Sequence, residues 1–125
     1  MIPTGDSSVA RCDPRGHGVK IVTALVRPHS LDAVRQALER HAVLGMTITE
    51  VGVCNAGHVE IHKGARIEVG LVPRLRIETV VDDEIVERLL DQLRSNLDGA
   101  DGQLWVRHVD AVLRVRTGEM GSDAI

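Results

Sequence analysis

KIVTALVRPHSLDAVRQALERHAVLGMTITEVGV, Lys20 to Val53, decides the fold. Its opening, KIVTALV (Lys20–Val26), is a short β-branched apolar run that stops at Arg27-Pro28, the pattern of a buried strand. Ser30 stands at the position of a helix N-cap. Behind it Leu31, Val34, Ala37 and Leu38 recur at helical spacing, while Asp32, Arg35, Gln36, Glu39 and Arg40 take the opposite face. The helix is expected to end near His41. Gly45 then turns the chain into a second β run, Met46–Val53. The order of this half is β-α-β.

The second half repeats it. Leu75–Val81, LRIETVV, reads as a strand, and Asp82-Asp83 supplies acidic caps that suit the positive end of a helix. On that helix Ile85, Val86, Leu89, Leu90, Leu93 and Leu97 form a wide apolar stripe. DGADGQ (Asp98–Gln103) is a turn cluster. Leu104–Val109 and Val112–Val115 are the last β-prone runs, and RTGEMGSDAI reads as a polar, loosely held tail. Cys54–Pro73 contains two alternating pieces, HVEIH and RIEVGLV, around Lys63-Gly64; this fits a mobile excursion and a short hairpin equally well. The whole is an α+β, ferredoxin-like β-α-β-β-α-β sandwich. Two helices cover one face of a four-stranded antiparallel sheet. The other face is also apolar, with no third layer in the chain, so an oligomer is expected to hide it. One domain, 19–125, follows a lead-in (residues 1–18) rich in Gly, Pro, Ser and Asp and read as flexible.

Composition narrows the function. The 125 residues carry 18 acidic and 15 basic side chains, a net charge of −3, which lacks the basic excess of a nucleic-acid binder. With one Trp and no Tyr or Phe, the core must be aliphatic, and tyrosine chemistry is excluded. Two cysteines, Cys12 and Cys54, make no secreted-type disulfide framework, so reduced thiols in a cytoplasm are the expectation. No apolar run is long enough to insert in a bilayer. No nucleophile–base or acid–base pair is apparent, so the chain is read as a binding protein and not an enzyme.

Several segments, in order, resemble the PII nitrogen-regulatory proteins. VRPHSLDAVRQAL followed by GMTITEV resembles the family's I-K-P-F-K-L-D-x-V-x-x-A-L and G-M-T-V-T-E-V. GHVEIHKGA (Gly57–Ala65), LVPRLRIETVVDDEIV and LRVRTGEMGSDAI are similar to three further family segments. The resemblance runs from about Val19 to the last residue. It implies a homotrimer of ferredoxin-like protomers with adenine nucleotides in the clefts between subunits. It also implies a T-loop between strands 2 and 3 that reaches a regulated protein, here through residues 53–73. The pathway implied is nitrogen metabolism.

Carried over residue by residue, the resemblance assigns Leu25, Gly45, Met46 and Thr47 to the adenine side, and Glu78 and Val80 also fall on family site positions. Asp101, Gly102 and Gln103, with Arg114 and Arg116, fall to the phosphate and ribose side. Arg forks suit phosphate oxygens, though arginines at an edge also serve as solvated charges or subunit salt bridges. The phosphate side departs from the family. The stretch after Val51 is two residues shorter and lacks the family's G-R-Q. Ala100 replaces a Gly, and Gln103 replaces a Lys. Each charged hydrogen bond lost costs roughly 1.5–3 kcal/mol, so ADP or AMP is expected to bind in preference to Mg-ATP, and a 2-oxoglutarate response is not expected. Ile67 and Ala65 stand where relatives carry a modifiable tyrosine and serine. A second reading rests on His58-x-Glu60-x-His62, whose strand spacing suits a transition metal. On that reading the protein handles metal, or serves carbon or metal transport, while the plain alternative is a solvated loop.

Overall fold

The computed structural model describes residues 18–54, 59–62, 65–68 and 70–125, with side chains described outside 55–69. Cys12, His58 and the lead-in up to residue 17 lie outside the described residues. The chain runs β1 (Val19–Val26), α1 (Leu31–Arg40), β2 (Thr47–Val53), β3 (Val59–His62), β4 (Ala65–Glu68), β5 (Val72–Asp82), α2 (Val86–Asn96) and β6 (Gly102–Val109). The main sheet is antiparallel in the order β2-β5-β1-β6. This is the expected ferredoxin-like sheet.

Alternation along the strands sorts the side chains. Val22, Ala24 and Val26 of β1 and Leu75, Ile77 and Val81 of β5 meet Val34, Ala37 and Leu38 of α1 and Leu89 and Leu93 of α2 in one buried core. Burying each leucine contributes roughly 1.5–3 kcal/mol. Asn96 joins the helices by donating from Nδ2 to the Ala33 carbonyl at 3.0 Å. On the outer face of α1, Arg35 donates to Glu39 at 2.9 Å and to Asp32 at 3.4 Å. These bonds raise its pKa above the ordinary arginine value.

Five local expectations are settled by the structure. The excursion after Cys54 contains a hairpin, with β3 pairing β4 from Val59↔Glu68 to His62↔Ala65. Ser30 makes no side-chain cap; Pro28–Ser30 instead form a 3-10 turn that leads into α1, with Ser30 N donating to Arg27 O at 2.9 Å. Proline's fixed φ favours this entry. Asp82 does cap, accepting from Glu84 N at 3.2 Å over a 3-10 turn (Asp83–Ile85) ahead of α2. Val112–Val115 is not a strand: only Leu113 bridges, to Met120, because the chain doubles back within a few residues. The tail is accordingly held, with Gly121–Ala124 in a 3-10 turn and Ala124 buried.

Candidate functional site

The sheet face turned away from the helices has a readable register. Thr47, Glu78, Thr23 and Trp105 form one row across it; Thr49, Arg76, Leu25 and Gln103 form the next. At its centre Thr23 is fully buried, and its hydroxyl donates to Glu78 Oε2 at 2.9 Å. Arg107 Nη2 donates to the same oxygen at 3.1 Å, and Arg76 Nε lies 3.7 Å from Oε1. The Glu78 carboxylate is thus fixed in place by groups on two other strands and one on its own. Apolar side chains frame this polar centre, with Trp105 and Val80 partly exposed.

The residues singled out from sequence gather into two hollows at opposite ends of this face. The larger, about 880 Å³, holds Gly45, Met46, Thr47, Glu78, Val80 and Arg114. The turn 41–46 builds one wall. There Ala42 adopts a left-handed φ of 60° as the chain leaves α1, with His41, Ala42 and Val43 amides bonded back to Leu38 and Glu39 carbonyls. Thr79 pins the turn by donating to Gly45 O at 2.7 Å. The smaller hollow, about 350 Å³, holds Leu25, Asp101, Gly102 and Gln103, together with Val53, Cys54, Val72 and Arg74. Gly102 is tight here: a Cβ on it would meet Leu25 O and Val26 Cγ1 at 3.2 Å. Arg116 is exposed and lines neither hollow.

Charge in the smaller hollow is already partly balanced. Asp101 Oδ2 stands 3.8 Å from Arg74 Nη2 and 3.9 Å from Arg27 Nη2. Gln103 adds no positive charge. Arg74 also lines a third depression, about 400 Å³, with Glu50, Gly52, Leu71 and Pro73 at the root of the excursion between β2 and β5.

Sequence reasoning missed part of the larger hollow. Ile21 lines it and was readable, since it alternates with Thr23 and Leu25 on β1. His41 lines it too, and its Nε2 is buried with no hydrogen-bond partner among the described residues. Ile125 was hidden by the reading of the tail as loose. Glu60 and His62 lie on β3, but their side chains, and all of His58, are outside the described set. Among the described residues no cluster of three metal-ligating side chains occurs, and no helix is long and apolar enough to cross a membrane.

Comparison with known proteins agrees with the fold. The family model "Nitrogen regulatory protein P-II" matches residues 19–119. The chain is 36% identical to the nitrogen regulatory protein P-II of Bradyrhizobium diazoefficiens over 112 residues, 86% of this chain and all of the relative. The proteins of the same name from Azospirillum brasilense and Haemophilus influenzae are 36% and 37% identical over the same span. That family consists of regulatory signal-transduction proteins and not enzymes, and it binds adenine nucleotides in general. A matching model over most of the chain, full-length relatives and the β2-β5-β1-β6 sheet together make this chain a member of the nitrogen regulatory protein P-II family.

Proposed function

We propose that the protein is a trimeric regulator that senses ADP or AMP and passes that state to a protein of nitrogen metabolism. The observation that carries this reading is the division of the inherited site into two open hollows on one sheet face. Gly45, Met46, Thr47, Glu78, Val80 and Arg114 stand at one end, and Leu25, Asp101, Gly102 and Gln103 at the other. Two copies meeting through these faces bring one hollow of each into a common cleft. In that cleft the larger hollow offers an apolar wall and an arginine, which suits a base, a ribose and a short phosphate chain. The smaller hollow offers little to a long polyphosphate, because Asp101 stands near both Arg27 and Arg74 and Gln103 is neutral.

Occupancy then changes the conformers of the excursion, residues 53–73, which docks on the regulated partner. The shift is set by the ligand's difference in affinity between those conformers. Calorimetric titration of ATP with Mg²⁺, ADP and AMP tests the reading. The expected result is binding of ADP or AMP in the micromolar range, weakened about tenfold or more in Arg114→Ala, with Mg-ATP bound no more tightly. Tight Mg-ATP binding, or no heat with any of the three, overturns it.

A further inference from the structure

Arg114 reaches the larger hollow from a stretch that is neither helix nor strand, so the segment after it must set its direction. The chain reverses at Thr117-Gly118: Gly118 N donates to Arg114 O at 2.8 Å, and Arg114 N donates to Glu119 O at 2.9 Å. Gly121 N then donates to Val112 O at 3.1 Å. Gly118 and Gly121 have φ of 75° and 64°, a region that glycine enters without steric cost. The following 3-10 turn places Ala124 against the fold at 7% exposure, and its carbonyl accepts from Arg114 Nε at 3.2 Å. Ile125 lines the same hollow as Arg114.

A guanidinium is a rigid planar fork of five N–H donors. Anchoring Nε on a carbonyl fixes the plane and leaves the two terminal nitrogens for another acceptor. Among the described residues those nitrogens make no further hydrogen bond.

We infer that residues 121–125 are a positioning strap for Arg114. Docked, they orient its terminal nitrogens toward the phosphate of a nucleotide in the larger hollow; undocked, the arginine loses that orientation and binding weakens. Arg114 is the group that touches the ligand, and Ala124 acts through it. The inference rests on the nucleotide reading above. It is distinct from competition between strap and ligand, which predicts the opposite sign.

The test is titration of ADP and of adenosine into the full chain and four variants: Arg114→Ala, Ala124→Asp, their combination, and Gly121→Val. Ala124→Asp puts a charge in a buried site, and Gly121→Val opposes the left-handed φ, so the strap is unseated in two independent ways. Thermal unfolding of each variant identifies any that fails to fold. Arg114→Ala is expected to weaken ADP about tenfold or more. Ala124→Asp and Gly121→Val are expected to weaken it comparably, the double variant no further, and adenosine to bind all of them as it binds the parent. Such coupling marks two residues acting as one unit. Tighter ADP binding, additive losses, an equal loss for adenosine, or unchanged ADP binding in both folded strap variants overturns the strap alone. A parent chain that binds neither ADP nor AMP overturns the nucleotide reading and the strap with it.

Discussion

Gln103 is one atom group away from a different ligand preference. It lines the smaller hollow beside Asp101, whose carboxylate stands near both Arg27 and Arg74. Gln103→Lys restores a cation where polyphosphate would lie, and is expected to strengthen Mg-ATP binding about tenfold while changing AMP binding little; paired calorimetric titrations check it. Identity at these positions was legible in the chain, because a motif carries residue types along with it. Their engagement was not. Glu78 was read as a ligand group, yet its Oε2 already accepts from Thr23 and Arg107, residues 55 and 29 positions away. Pairings across that separation depend on sheet order and leave no local trace. Thr23→Val deletes the buried donor and leaves that acceptor short of a partner. It is expected to cost about 1–3 kcal/mol, measured by urea unfolding, with the larger values following if Arg107 also loses its place.

At the scale of elements, period decided what could be seen in advance. The short apolar, β-rich runs of β1 and β5 and the 3.6-residue stripes of α1 and α2 are strong local signals, and those elements stand close to where they were expected. Val112–Val115 has strand composition but no room for a ladder, since Leu113 bridges Met120 and the turn between them consumes the partner. Ser30 has cap chemistry, yet Pro28 imposes a turn that carries the chain into the helix without it. The root of the excursion depends on a contact invisible to either pattern. A Cβ on Gly52 would lie 2.7 Å from Leu71 Cβ and 2.9 Å from its Cδ1. Leu71 Cβ cannot swing away as a side-chain tip can, so its backbone must move. Gly52→Ala is expected to destabilise the protein by about 1–3 kcal/mol and to raise amide exchange at Leu71 and Val72 before it does so in β1.

For the whole molecule, the asymmetry between the two sheet faces matters most. One is sealed by helices; the other presents Trp105, Val80 and a charged centre. Burial of such a surface by further copies of the chain gives the expected trimer, to be seen by analytical ultracentrifugation. Trp105→Asp is expected to shift the population toward monomer, because association would then have to bury a charge in place of an apolar ring on the open face. The helical layer was legible because each stripe had a matching strand face within the chain. What covers the second face was not, since among the described residues no helix lies on it.

Arg74 has a mechanical consequence. Its residue lines both the hollow that contains Asp101 and the one beside Leu71 at the root of the excursion. A rotation of that single guanidinium would withdraw it from Asp101 and from the Pro73 carbonyl, and so alter both hollows together. On the function proposed above, a ligand arriving at the first hollow would reach the root of the excursion through one side chain.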